Sequence, residues 1–114
     1  MTEYVIKRNG DRVKYDRVKI EDAILKAAES TGYEREQLKD RYLNSLIKDV
    51  EDRLEGSEYT PNVEDIQDFV EIALMNIGLG DIAKNYILYR RKHAQYRDSQ
   101  MLMNNLMSTI GDYI

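Results

Sequence analysis

Residues 4–20 read YVIKRNGDRVKYDRVKI, and this stretch decides the fold. The runs 4–8 and 11–15 are rich in Val, Ile and Tyr, which favour strands, and they flank Asn9-Gly10. This arrangement predicts a hairpin closed by a type I′ turn, in which both central residues take positive φ. Asp16 then predicts a helix N-cap, because its carboxylate can accept from the free N–H groups of a first turn. The stretch therefore predicts a short hairpin that leads directly into a helix.

Apolar residues at helical spacing occupy most of the remaining chain. They predict a first helix that ends at Gly32 and a second helix from about Glu34 to Leu54, closed by Gly56. A third helix begins near Asn62, where an acidic first turn follows a capping residue. The chain up to this point thus predicts one hairpin followed by successive amphipathic helices.

A fourth helix follows a glycine-rich break at Gly78 and Gly80, and it runs from Asp81 into the basic segment 90–97. The connector 57–61 is predicted to be extended, because a residue before proline avoids the α region. It is a candidate third strand beside the hairpin. The predicted fold class is therefore α+β and mainly helical, with a four-helix bundle capped by a small β-hairpin or a three-stranded sheet.

Composition excludes several classes of protein. The chain has 114 residues, 42% of them apolar, which suits one domain with a modest core. It contains no cysteine, which excludes disulfides and thiolate metal sites, and its single histidine, His93, cannot form a metal cluster alone. No apolar run approaches the length of a membrane span, and the N-terminal residues do not resemble a secretory signal. A cytoplasmic location is expected.

The net charge of -4 conceals a segregation of charges along the chain. Residues 1–20 carry six basic and three acidic side chains, whereas residues 21–89 carry 16 acidic and 7 basic ones. The segment 90–97 then adds four basic residues and no acidic one. A general nucleic-acid binder is normally basic as a whole, so nucleic acid is an unlikely partner. Two basic segments that meet in space would instead form a local anion site.

The cations around the predicted hairpin suit a phosphate group. Lys7 and Arg8 end the first strand, and Lys19 lies in the first turn of the following helix, whose N-terminus carries partial positive charge. Val5 and Ile20 are apolar neighbours that could enclose a flat base. The alternative is an exposed hairpin with ordinary surface cations, and composition by itself favours that alternative.

The segment Arg90–Lys92 supports a phosphate site only if the fourth helix packs beside the hairpin; otherwise it is a solvated helix end. The carboxylates at 64, 65, 68 and 71 are predicted to form a solvated acidic face of the third helix. No phosphate-loop, dinucleotide or nucleophile-elbow motif occurs, so nothing in the sequence argues for catalysis by this chain.

Five segments together resemble the ATP-cone domain, the allosteric module at the N-terminus of many ribonucleotide reductases. They read VIKRNG at 5–10, VKYD at 13–16, KIEDAI at 19–24, DIQDFV at 65–70 and AKNYILYRRK at 83–92. The ILYRR ending is most similar to the anaerobic, glycyl-radical ribonucleoside-triphosphate reductases. The resemblance covers residues 4 to about 97 and implies a four-helix bundle capped by a small sheet.

The resemblance implies a nucleotide site made of an adenine pocket and a group of phosphate-binding cations. The pocket falls on Val5 and Ile20, with Asp16 near the base or ribose. Gln67 stands where some family members have histidine, and Val13 where some have glutamate. The cations fall on Lys7, Arg8, Lys19 and either Arg91 or Lys92.

The same resemblance implies a regulatory function. ATP in the cone leaves the reductase active and dATP inhibits it, commonly through a change of homo-oligomeric state, with Mg²⁺ accompanying the phosphates. Residues 1–97 would form the ATP-cone domain, and residues 98–114 a connector or tail toward a catalytic domain that is missing from this chain. Reductase chemistry requires cysteines, so this chain would be an excised regulatory fragment or a standalone relative, and not itself an enzyme.

Two other interpretations stay open from the sequence. The same cone occurs in transcriptional repressors of reductase genes, which begin with a four-cysteine zinc ribbon that this chain lacks. The second alternative is a helical interaction module whose basic hairpin binds an acidic protein and no nucleotide.

Overall fold

The computed structural model describes residues 2–103, with side chains described for residues 2–98. The protein is mainly helical and carries a small two-stranded antiparallel sheet, which confirms the predicted fold class at this level. The elements in chain order are β1 Tyr4–Ile6, β2 Arg12–Lys14, α1 Arg17–Ser30, α2 Arg35–Leu38, a π-helical segment Lys39–Leu43, α3 Asn44–Glu55, α4 Val63–Asn76 and α5 Gly80–Met103.

The loop between β1 and β2 differs from the predicted type I′ turn. The Gly10 N–H donates to the Lys7 carbonyl at 2.9 Å, and the Lys7 N–H donates to the Asp11 carbonyl at 2.8 Å. Arg8 and Asn9 are therefore the central turn residues, and Gly10 follows them at φ +92°. This is the three-residue connection in which a glycine with positive φ forms a bulge. The strands pair in the register Tyr4–Lys14, Val5–Val13, Ile6–Arg12.

Helix α1 begins as the sequence predicts. The Asp16 carboxylate accepts from the Val18 N–H at 3.0 Å and so caps the first turn. The helix ends at Ser30, and Gly32 follows with φ +98°, a backbone conformation that favours glycine. Both predicted ends of this helix are confirmed.

The predicted single helix from Glu34 to Leu54 is interrupted. A π-helical segment, Lys39–Leu43, separates α2 from α3. Leu38 and Leu43 are both buried. On a regular α-helix, two positions five residues apart point about 140° away from each other around the helix axis. A π turn closes its hydrogen bonds from residue i to i+5, so it brings two positions with this spacing to the same side.

Helix α4 begins with a complete capping box. Asn62 accepts from the Asp65 N–H at 2.9 Å, and the Asp65 carboxylate accepts from the Asn62 N–H at 3.0 Å. Gly78, at φ +90°, separates α4 from α5 as predicted, but α5 begins at Gly80, one residue earlier than expected.

The predicted third strand over 57–61 is wrong, since the sheet has two strands. The connector makes one isolated parallel bridge, Ile6 with Asn62, and the Ile6 N–H donates to the Pro61 carbonyl at 2.9 Å. Proline has no N–H to donate, so it interrupts a ladder at this point. The contact nevertheless ties β1 to the start of α4.

The core lies between the helices and the inner face of β1. Helix α5 packs against both α1 and α4, and α3 packs against α4. Val5 and Tyr86 are among the buried residues that join the sheet and α5 to this core. Helix α5 continues to Met103, past the predicted domain boundary at residue 97, and residues 104–114 of the predicted connector lie outside the described residues. No described helix is long and apolar enough to cross a membrane.

Candidate functional site

The 7–11 loop is joined to the helices by an ion pair. The Arg8 Nε lies 3.2 Å from a carboxylate oxygen of Glu64, in the first turn of α4, and the Arg8 side chain is only 23% exposed. The same Glu64 carboxylate accepts from Arg90 of α5 at 3.1 Å. One carboxylate thus links the loop, α4 and α5, which meets the condition that the basic part of α5 lies near the loop.

Arg90 is the centre of a larger group of charges. Besides Glu64, its guanidinium donates to Asp68 at 2.9 Å and to Glu71 at 2.7 Å. The prediction that these carboxylates only form a solvated face of α4 is therefore wrong, because three of them are hydrogen-bonded to one arginine. Burial by itself would lower the pKa of Arg90, but the hydrogen bonds to Asp68, Glu71 and Glu64 raise it.

Arg8 lies in a different electrostatic environment. Partial burial, and next the positive charges of Arg97 and Arg90, lower the pKa of Arg8, while Glu64 acts in the opposite direction. Guanidiniums brought together in this way favour an anion among them. Arg97 was not among the predicted site residues, although the run of basic residues over 90–97 was a signal that could have identified it.

A cleft of about 310 Å³ between α4 and α5 contains a buried amide. Gln67 is 0% exposed, and neither its Nε2 nor its Oε1 has a hydrogen-bond partner. A buried polar group without a partner is costly, so a ligand that supplies hydrogen bonds would relieve it. The residues that line the cleft are Glu64, Gln67, Glu71, Ile87, Arg90, Arg91, Ala94 and Arg97.

The other predicted residues do not line this cleft. Val5 and Ile20 are at most 1% exposed and belong to the hydrophobic core. Asp16 caps α1, and Lys19 follows in the first turn of the same helix with an exposed side chain. Of the predicted residues, Gln67 and Arg91 line the cleft, and Arg8 is joined to it through Glu64.

The last two predicted cations are Lys7 and Lys92. Lys7 begins the loop, where its N–H and carbonyl make the closing hydrogen bonds. Lys92 is exposed on α5. A larger cleft of about 440 Å³ lies beside β1 and the 57–61 connector, and it is lined by none of the predicted residues.

His93, the single histidine, is partly buried beside the cations. Its ring packs edge-on against Tyr89 at 4.3 Å between centroids, and its Nδ1 is buried without a partner. Burial is the largest cause that lowers the pKa of His93, followed by the charges of Arg97, Lys26, Arg8 and Lys92. Cations from the loop, α1 and α5 therefore converge here. Among the described residues no group of three or more acidic or histidine side chains is arranged to hold a metal ion.

Comparison of the sequence with known protein families identifies the family of this chain. Residues 3–95 match the ATP cone domain family. The chain is an ATP-cone domain. The expectation of a nucleotide-sensing regulatory domain is thereby confirmed at the level of the family.

Relatives of this ATP-cone domain include parts of much longer proteins. It is 39% identical over 112 residues to the vitamin B12-dependent ribonucleoside-diphosphate reductase of Thermoplasma acidophilum, covering 90% of this chain and 13% of that protein. It is 33% identical over 105 residues to the ribonucleoside-diphosphate reductase subunit alpha of Chlamydia muridarum, covering 85% of this chain and 10% of that one. The chain thus spans a small fraction of the length of these relatives.

A relative of a different kind is the transcriptional repressor NrdR of Synechococcus sp., 34% identical over 96 residues. That match covers 82% of the ATP-cone chain and 51% of the repressor. Both the reductase and the repressor interpretations of the sequence therefore have relatives within the family.

Proposed function

We propose that this ATP-cone domain binds ATP as an activating effector and dATP as an inhibiting one, and thereby controls a ribonucleotide reductase in the cytoplasm. The observation that carries the proposal is the buried, unpartnered amide of Gln67, in a cleft bordered by Arg90, Arg91 and Arg97 and linked through Glu64 to Arg8. An amide paired with a nucleoside and guanidiniums paired with phosphates would satisfy both kinds of group.

The division of work within the site follows the chemistry of its residues. Arg8, Lys7, Lys19 and either Arg91 or Lys92 bind phosphate oxygens, and Arg97 adds to their positive field. Val5 and Ile20 form the apolar side of the adenine pocket, which requires these buried side chains to become accessible when nucleotide binds, while Gln67 and Asp16 bind the base or ribose. Mg²⁺ accompanies the phosphates, whose oxygens it prefers as ligands. The helices form the predicted four-helix bundle, and the two-stranded sheet caps the site.

Calorimetric titration of the chain with ATP and dATP tests the proposal. Lys7→Ala and Arg8→Ala should each weaken binding about tenfold, because each removes a charge-assisted hydrogen bond to phosphate. Lys39→Ala is the matched control, since Lys39 is an exposed cation of the π-helical segment and does not line the cleft. Absence of binding below millimolar nucleotide would refute the proposal, and equal losses in all three variants would indicate nonspecific attraction of charge.

Regulation requires that the two nucleotides bind differently to two states of the parent protein. A coupling of about 1–3 kcal/mol is typical, and it must originate in the one hydroxyl by which ATP and dATP differ. The chain joined to the catalytic domain of its parent reductase should therefore change its homo-oligomeric state, measured by light scattering, with dATP and not with ATP. The same state with both nucleotides would contradict this mechanism.

We further propose that the parent is an anaerobic ribonucleoside-triphosphate reductase, on the basis of the ILYRR ending at 87–91. The reductases compared above are a B12-dependent enzyme and an alpha subunit, both named as diphosphate reductases. Anaerobic assays of the full-length parent with ribonucleoside triphosphates and with diphosphates distinguish these classes. Reduction of diphosphates alone would reject the anaerobic assignment.

The repressor is the second candidate, favoured by the match to NrdR. It predicts that nucleotide changes the affinity of the protein for DNA upstream of reductase genes. Band-shift measurements with such DNA, with and without ATP or dATP, separate the two functions. An interaction module, the third alternative, would bind an acidic protein and neither nucleotide nor DNA.

A further inference from the structure

We propose that Glu64 is an internal counter-anion of the phosphate site, which pairs with Arg8 until a nucleotide phosphate replaces it. Glu64 would then be a positioning residue that sets how strongly the site responds to the phosphates of its ligand. This inference rests on the proposed nucleotide-binding function and adds a residue that opposes binding.

The geometry places both oxygens of this carboxylate between two arginines. Oε1 lies 3.2 Å from Arg8 Nε, and Oε2 accepts from Arg90 Nη2 at 3.1 Å. A phosphate oxygen makes the same kind of charge-assisted hydrogen bond to a guanidinium. Glu64 and a phosphate on Arg8 would also repel each other at this separation. The carboxylate therefore competes with a phosphate for Arg8.

When a phosphate replaces Glu64 on Arg8, Arg90 remains paired. If Glu64 turns away from the loop, Arg90 keeps its hydrogen bonds to Asp68 at 2.9 Å and to Glu71 at 2.7 Å. The Glu64 side chain is 52% exposed, against 20% for Glu71, so it can move into solvent. A ligand can thus release Arg8 without breaking the contact between α4 and α5.

The backbone beneath Glu64 is held in place. The capping box of Asn62 and Asp65 surrounds it, and the Pro61 carbonyl accepts from the Ile6 N–H at 2.9 Å. The competing carboxylate is therefore mounted on a rigid first turn, and only its side chain needs to move when phosphate binds.

The test is calorimetric titration of the wild-type chain and of Glu64→Gln with ATP and with adenosine. Glu64→Gln should bind ATP about fivefold more tightly, the factor expected when one half-exposed ion pair no longer competes. Adenosine, which has no phosphate, should bind both proteins alike. Glu36→Gln is the control, because it removes one exposed carboxylate of α2 that makes no ion pair with any described residue.

Glu64→Asp is the second variant in case Glu64→Gln does not fold. Its shorter side chain cannot reach both arginines, so it should also tighten ATP binding. Unchanged or weaker ATP binding in these variants, or equal tightening in Glu36→Gln or with adenosine, would overturn the role of Glu64. If the wild-type chain binds ATP, that result leaves the proposed function intact. If the wild-type chain binds neither ATP nor dATP, both proposals fail.

Discussion

Replacing Arg90 by methionine should destabilise the ATP-cone domain more than replacing any exposed cation. The Arg90 side chain is 21% exposed, and its guanidinium is hydrogen-bonded to carboxylates of Glu64, Asp68 and Glu71. Methionine keeps most of the apolar stem but removes the charge, and it leaves three like charges close together on α4. The substitution therefore isolates the electrostatic part of the contact between α4 and α5.

The size of the effect follows from the exposure of each pair. The Glu64 and Asp68 side chains are about half exposed, so each of their pairs with Arg90 contributes about 0.5 kcal/mol to the free energy of unfolding. Glu71 is 20% exposed and lies at 2.7 Å, so its charge-assisted bond contributes about 1.5 kcal/mol. Arg90→Met should lower the free energy of unfolding by about 2–3 kcal/mol in total.

Urea denaturation at neutral pH measures this loss, with Lys48→Met as the matched control. Lys48 makes one exposed pair with Asp52 at 3.0 Å, so its replacement should cost much less stability than Arg90→Met. Equal losses in the two variants would refute the electrostatic explanation.

Two further predictions concern the amide and the imidazole beside the cleft. Gln67→Leu should raise the free energy of unfolding by about 1–2 kcal/mol, because it removes two unpartnered buried polar atoms. The same substitution should weaken ATP binding about tenfold. Gln95→Leu is the control, because Gln95 is exposed and its replacement should change neither quantity. Destabilisation by Gln67→Leu would mean that the amide has partners in solution. His93 is the one histidine of the chain, so NMR can follow its titration directly, and its pKa should lie below 6.5 because of burial and nearby cations. The unfolded chain then binds the proton first, so stability is full above about pH 6.5 and falls as the pH decreases toward the folded pKa. ATP should raise this pKa by neutralising the cations, and a pKa at or above 6.5 without nucleotide would contradict the cation cluster.

Local signals in the sequence were sufficient for most of the fold. Asp16 and Asn62 satisfy the free N–H groups of helices that begin beside them, so their partners lie within three residues. Gly32 and Gly78 take positive φ at the ends of helices for a reason that is equally local. Helix starts, helix ends and the order of elements could therefore be predicted without knowledge of the packing.

The loop type and the interrupted second helix could not be predicted in this way. Asn9-Gly10 is compatible with more than one type of short hairpin loop. In the structure Arg8 and Asn9 are the central residues of the turn, and Gly10 follows them with positive φ. The π-helical segment allows Leu38 and Leu43, five residues apart, both to enter the core. Each outcome depends on how neighbouring elements pack, which no local pattern encodes.

The sequence by itself determined that basic residues occur at two separate segments and that their types suit phosphate. Only the tertiary structure decided which of them meet. Arg8 pairs with Glu64, Arg90 is hydrogen-bonded to carboxylates 19 to 26 positions earlier in the chain, and the Gln67 amide is buried without a partner. Local hydrogen bonds depend on neighbours in the chain, whereas ion pairs and burial depend on distances in space that arise only after the helices have packed.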